Sequence, residues 1–444
     1  MKKRLNQLWF ILGLGSQLQV IASLSITEAI VLAFAPYLYL RHYRELKRDG
    51  LSVFLGLAAC VFMGCIVACI CNHTRFLFAI RGLSVTAIIP CSIIFGHWLI
   101  RRCPDGFKWF LVGGFFSAVL CTFVFQRSVE VAMYGHGETN VDAIMSGPLY
   151  WIERLGSAVT LPTKGWFLRT PIMLDVPALL FMSVFALLTS SSGRSAALGA
   201  LGGVAILLIG GKRQRSMRRF SRYFGIIILC ALGSVFALNR GYRFAALNGW
   251  MGEGARLKYE SQSKGSKSIL KLLLGGRGEA FVGLLACRDK PIIGWGPWAE
   301  DTHGYWAEFI SKYGTEEDVE NMQRIIAYEA RIGGGGFRLI QGHSHITMFW
   351  LWYGIFGLVF WLYVIFVLIR YLKSDAWVVP HWFAWIACAI PATLWHICFS
   401  PFNNRVGLPI MVVACLMARA VRRGAFVLPP KMQFEIWNAG RRRA

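Results

Sequence analysis

The chain has 444 residues, 56% of them hydrophobic, with a mean hydropathy of +0.50 and a formal net charge of +24. That is too apolar for an ordinary soluble protein of this length, and several runs reach the roughly 20 apolar residues a helix needs to cross a bilayer core. The runs are continuous rather than alternating, which argues against a membrane β-barrel. Much of the positive charge sits in short clusters between them, which points to membrane topology and away from nucleic acid.

The first residues, MKKRLNQLWFILGLG, have the look of a signal peptide but no convincing cleavage site, and they lead into a second apolar run. Spans are predicted at roughly 9–22, 24–40, 51–70, 76–100, 109–125, 171–191, 195–210, 223–238, 346–369, 377–399 and 408–421. Between and after them lie 41-RHYRELKR-48, 101-RRCPDGFK-108, 212-KRQRSMRRFSR-222, 419-RAVRR-423 and the tail 441-RRR-443, expected on the cytoplasmic side. The expected fold is an all-α polytopic membrane protein of about 10–12 transmembrane helices. It divides into N-terminal helices over 1–238, one large outer loop over 239–345, and C-terminal helices with a basic tail over 346–444. The twelve cysteines show neither metal-ligand spacing nor a disulfide framework.

The first half does not close topologically. Seven predicted spans separate the N-terminus from the 212–222 cluster, and an odd number would leave that cluster outside. Either 126–170 conceals a short or broken crossing, which buried backbone permits, or 9–40 crosses only once; the concealed crossing is favoured. The second half is consistent: 223–238 crosses outward, about a hundred residues follow, and 346–369 returns.

The 239–345 stretch is too long for an idle connection and is where chemistry is expected. Helix-like pieces fall at 266–287 and at 304–331, the latter rich in acids, and 333-GGGG-336 makes a hinge before 341-QGHSHITMFWLWYGIFG-357. His343 stands at the edge of the following span, where an imidazole can take a proton from an acceptor hydroxyl near neutral pH. Gly354 and Gly357, three apart, share a helix face and permit close packing. Gly354 lies eleven residues along, about 16 Å on a straight helix.

Arg194, in 190-SSSGRSAALGALGG-203, is a charge between two apolar runs and so a candidate site by default. Arg277 is flanked by glycine, in 275-GGRGEAFVGLLACRDKPIIGWGPW-298. Arg288 and Lys290 follow, then the rigid turn 291-PIIGWGP-297 with Pro291, Gly294 and Gly296. Arginine's planar fork suits phosphate oxygens, and on an outer loop a cluster of arginines is not explained by topology. A bound anion is therefore expected here. No D-x-D, Walker or other metal motif appears, so neither a metal-dependent nucleotide-sugar site nor ATP is indicated.

Together these segments resemble the O-antigen ligase/polymerase superfamily of bacterial inner-membrane glycosyltransferases. That family's signature is H-[NSQ], nine residues, then G-x-x-[GTY]. His343-Ser344, HITMFWLWY, Gly354 and Gly357 match it, whereas His345 does not fit the spacing. "SSSGRSAAL" is similar to the family's S-R-[SG]-A segment, at Arg194. "GGR…ACRDKPIIGWGP" is similar to its R…hPllGvGP stretch, at Arg277 and at Pro291 to Pro297. The likeness covers about 171–369 well and the first 170 residues only through hydropathy.

The resemblance implies a GT-C-like fold in the bacterial inner membrane with a periplasmic active site. The donor it implies is an undecaprenyl-diphosphate-linked glycan, and the acceptor lipid A-core or another glycan, with no cofactor and no metal. In that scheme His343 is the base, Arg194 and Arg277 hold the diphosphate, and Arg288 is a weaker candidate for the same duty. A ligase acting on lipid A-core is the first expectation and a polymerase of the same superfamily the second. A lipid-linked glycan transporter is the alternative from another class, and membrane lipids are the remaining partners.

Overall fold

The computed structural model describes residues 2–16, 18–21, 24–106, 278–313, 344–375, 380–399 and 405–428, with scattered single residues elsewhere. The 126–170 stretch and most of 171–277 lie outside them, and so do the predicted spans at 171–191 and 223–238.

The described chain is mostly helical. It comprises α1 (Lys2–Leu14), α2 (Ile26–Arg48), α3 (Ser52–Cys71), α4 (Phe76–Arg102), α5 (Gly278–Asp289), α6 (Tyr305–Tyr313), α7 (His345–Tyr353), α8 (Ile355–Arg370), α9 (Pro380–Phe399) and α10 (Gly407–Arg422). A π-helical turn, Tyr371–Asp375, extends α8. Among the described residues, three helices are long and apolar enough to cross a membrane: Ser52–Cys71, Phe76–Arg102 and Ile355–Asp375. Many of their exposed side chains, including Val67, Ile70, Leu77, Ile80, Leu362 and Phe366, are apolar, as lipid contact requires.

Two expectations are corrected. The run predicted to span at 9–22 is not one helix. α1 stops at Leu14, and a short antiparallel hairpin, Gln19–Ile21 with Leu24–Ser25, precedes α2. Thirteen residues reach only about 20 Å, short of a bilayer core. The turn into α2 is fixed by a capping box, in which Ser25 accepts from the Glu28 amide and Glu28 accepts from the Ser25 amide.

The run at 346–369 is not one helix either. It breaks at Gly354, whose φ is +63° and ψ −148°. In a straight helix His345 and Trp361 would lie about 24 Å apart, yet their ring centroids are 4.7 Å apart. α7 therefore doubles back along α8, and Phe349 packs on both Phe360 and Trp361.

The helices sort their charges by end. At one end the α2–α3 turn meets the close of α4: Asp49 accepts from His97 at 2.8 Å and from Arg101, which also reaches Glu45 at 3.1 Å. Arg422 of α10 meets Asp375 at 3.1 Å, and the Arg101 guanidinium lies 5.2 Å from the centre of the Phe426 ring. The basic stretches 41–48, 101–102, 370–373 and 419–423 thus share one end. At the other end stand the α3–α4 turn, the loop after α5, and Arg405 with Glu28 at 3.8 Å.

Asp49 is fully buried. Burial pushes its carboxyl up, but the His97 and Arg101 hydrogen bonds outweigh that and hold it below the usual carboxylate value. A carboxyl depressed by folding adds stability that is present above its unfolded value, near 3.9, and lost as pH falls through the lower folded one. Asp49→Ala leaves His97 and Arg101 facing a gap, and is expected to cost about 3 kcal/mol at pH 7. Thermal unfolding in detergent should show that deficit shrinking towards pH 3; a pH-independent deficit would assign it to packing instead.

Candidate functional site

Helix α5 packs its Val282, Ala286 and Cys287 face into the bundle, with the Cys287 thiol 4.0 Å from the Thr347 carbonyl of α7. Burial pushes that thiol up to about 12, so it stays protonated. The chain leaving α5 is the 291–297 turn, and what it binds follows from the break at Gly354.

A helix that ends leaves its last carbonyls without partners, and one that begins leaves its first amides so. The turn answers both. Gly354's own amide takes the Trp350 carbonyl at 2.9 Å, and from the turn the Trp295 amide takes Leu351 at 2.6 Å and the Gly296 amide takes Trp352 at 3.1 Å. In return the Ile292 carbonyl accepts from the Ile355 amide, first residue of α8, at 3.1 Å, and the Pro291 carbonyl accepts from the Trp350 indole at 3.0 Å. Two sequence segments some sixty residues apart are therefore one backbone-bonded unit.

Contact this close admits only glycine at the crossing points. A Cβ on Gly354 would lie 1.9 Å from the Ile292 oxygen, and one on Gly294 (φ +79°) would lie 2.6 Å from the Gly354 nitrogen. Gly357 lies where α8 starts back past the Phe349 carbonyl. The expectation that Gly354 and Gly357 share one face of a continuous helix is corrected accordingly: Gly354 ends a helix, and the 16 Å separation does not apply.

Side chains then fasten the unit to α3 and α4. Asn72, capping α3, donates to Ala68 at 2.7 Å and to Gly294 at 3.1 Å, and accepts from Lys290 at 2.5 Å. The Lys290 ammonium also lies 3.9 Å from the centre of the Trp295 ring. Pro297 fits against Gly82, Trp298 lies between Trp352 and Phe78, and Arg75 pairs with Glu300 at 3.2 Å. Lys290, expected to add charge for an anion, is thus engaged in holding the turn. Asn72→Ala is expected to cost about 1–3 kcal/mol by stranding Lys290 and the Gly294 carbonyl, read as a lower unfolding midpoint.

Above this floor lies a polar group. Arg288 is exposed and meets its neighbour Asp289 at 3.2 Å. Asp289 also accepts from the Tyr305 hydroxyl at 2.6 Å. Hydrogen bonds from Tyr305 and Arg288 hold the Asp289 carboxyl below its usual value, while burial and Asp289 push the Tyr305 phenol up, so that it remains a donor. His303 stacks on Tyr305 and meets the Trp295 ring edge-on at 4.8 Å. Asp301 accepts from the amides of Tyr305 and Trp306 and so starts α6. Sequence reasoning missed His303, Tyr305 and Asn72. The signals were DTHGYW, polar residues and a glycine opening an amphipathic helix, and CNHT, an abrupt polar end to an apolar run.

Of the predicted site residues, Pro291, Gly294, Gly296, Gly354 and Gly357 come together, and Arg288 lies just before them in the chain. His343, Arg194 and Arg277 lie outside the described residues. Both chain neighbours of His343 are packed: Gly342 against Met348, and Ser344 as the cap of α7, accepting from the Thr347 amide at 2.9 Å. His345 is buried among Phe349, Trp361 and Phe402, a packing position. No group of metal-ligating side chains occurs among the described residues.

The class these features define is a predominantly helical, membrane-associated protein with a backbone-locked turn at one end of its bundle. Neither known family models nor curated protein sequences match the chain significantly.

Proposed function

We propose that this protein is a membrane glycosyltransferase that moves a glycan from undecaprenyl diphosphate to an acceptor sugar hydroxyl, with a ligase acting on lipid A-core as the first form. The observation that carries the reading is the union of the 291–297 turn with the break at Gly354. The two segments that resemble the superfamily's motifs are bonded to each other, with a polar surface beside them and the basic stretches at the opposite end.

In this reading His343 takes the acceptor proton while the hydroxyl attacks the anomeric carbon in line. The C–O bond to the diphosphate breaks and configuration inverts. Arg194 and Arg277 hold the diphosphate and stabilise the charge that develops on it. Arg288 can join them, because its exposed pairing with Asp289 is worth little in water and exchanges readily for a phosphate. The donor is already activated, so the scheme needs neither nucleotide nor metal.

The test uses purified protein in detergent with lipid-diphosphate glycan, with and without acceptor. Acceptor-dependent release of free lipid diphosphate supports a transferase. Passage of intact donor across a reconstituted vesicle without bond cleavage would replace it with the transporter. Glycan found on lipid A-core rather than on a second lipid-linked repeat separates ligase from polymerase.

A further inference from the structure

Among the described residues, the basic end of the bundle holds two buried polar clusters, and they differ in balance. Around Asp49, two carboxylates (Asp49 and Glu45) face Arg48, Arg101 and His97. Where α8 and α10 finish together, the described residues hold one buried carboxylate, Asp375, paired with Arg422 and within electrostatic reach of Arg419. Asp375 accepts from Arg422, which also donates to the Ser374 carbonyl at 3.1 Å. Arg419 feels the charges of both Arg370 and Arg423. The Nε atoms of Arg370 and Arg419 are buried without a hydrogen-bond partner. A guanidinium cannot shed its proton to relieve such a position. Ordinary topological arginines extend into water; these two each keep one donor buried beside like charges, and Arg370 directly precedes a π-helical turn of the kind often found at functional sites.

We infer that the ends of α8 and α10 form a binding site for the phosphate of an anionic phospholipid headgroup, with Arg370 and Arg419 as its inner donors and Arg422 and Arg423 at its rim. A phosphate diester offers the acceptor oxygens that the two stranded Nε–H groups need, and negative charge beside clustered arginines. The lipid is the source because α8 and the π-helical turn that extends it, Ile355–Asp375, are together long and apolar enough to span a membrane with this end at the headgroup level. Basic clefts between membrane helices hold such headgroups.

The full chain, stripped of lipid in detergent, is titrated with phosphatidylglycerol, with phosphatidylcholine, and with inorganic phosphate at matched concentration, and thermal unfolding is read. Phosphatidylglycerol is expected to raise the midpoint saturably, and phosphatidylcholine is not. In Arg370→Gln/Arg419→Gln, affinity for phosphatidylglycerol is expected to fall about 25-fold, at about fivefold per cation. Arg370→Lys/Arg419→Lys keeps the charge and retains part of the response. Arg44→Gln/Lys47→Gln removes two exposed cations from the same end and keeps all of it. Equal stabilisation of the unaltered protein by both lipids would overturn the inference without recourse to any variant. So would an undiminished response in the glutamine pair, an equal loss in the Arg44/Lys47 control, or a full shift from inorganic phosphate alone.

Discussion

His343→Ala is expected to lower glycan transfer by about a hundredfold to ten-thousandfold, the usual contribution of a positioned general base. The proposed chemistry makes the base the exposed step. A diphosphate on a lipid leaves readily once its charge is held, whereas a sugar hydroxyl is a poor nucleophile until its proton has somewhere to go. In cells, long-chain glycan on lipid A-core should fall while glycan accumulates on the carrier lipid. The pH profile separates chemistry from folding. An imidazole acts as a base only when neutral, so kcat/KM of the unaltered protein in the proposed transfer should decline on the acid side. The alanine variant should lose that acid limb. Ser344→Ala removes the α7 cap and should lower stability by about 1 kcal/mol while leaving the limb in place. Full transfer by His343→Ala with an unchanged profile would remove the proposed base.

Gly354→Ala carries the second large effect, on the fold. The backbone there has φ +63° and ψ −148°, close to a region that side chains other than glycine's hardly enter, at a cost of about 1–3 kcal/mol. The added methyl would also meet the Ile292 carbonyl at 1.9 Å, and that oxygen holds the first amide of α8. Relieving such an overlap adds about 1–3 kcal/mol. A combined loss of about 3–5 kcal/mol is expected, seen as a sharp drop in folded yield and unfolding midpoint. Gly56→Ala is the matched control. It sits in α3 with no atom within 4 Å of the added methyl, and should be neutral or slightly stabilising. Equal behaviour of the two variants would mean that the turn does not dock on Gly354.

The helices α3, α4, α9 and α10 were legible because each is an apolar run closed by polar or basic residues, and hydropathy reads that directly. The break inside WLWYGIFGLVFW was not. Glycine is common in membrane helices, and an apolar run reads the same whether the chain goes straight on or folds back, so only the tertiary partner at Ile292 decides. The hairpin at 19–25 was hidden in the same way, since LQVIASLS is as apolar as a span. The resemblance singled out PIIGWGP and G-x-x-G separately; that they are one object depends on a contact across sixty residues, which composition and periodicity do not register. The structural duty of Lys290 was hidden for a related reason. A cation beside a candidate anion site looks available until Asn72 and the Trp295 ring are seen to hold it.

The turn is joined to α7 and α8 mostly through main-chain atoms, and this bears on how such proteins diverge. Ile292 and Ile293 offer carbonyls or shape rather than side-chain chemistry, and both are exposed. Neutral drift can rewrite them, along with much of the surrounding helix surface, without disturbing the joint. What cannot vary is where a Cβ would collide or a ring must fix the backbone, which leaves a sparse skeleton of glycines and a proline. Distant copies of the same architecture would then share almost no alignable text, and recognising them calls for comparing joints rather than letters.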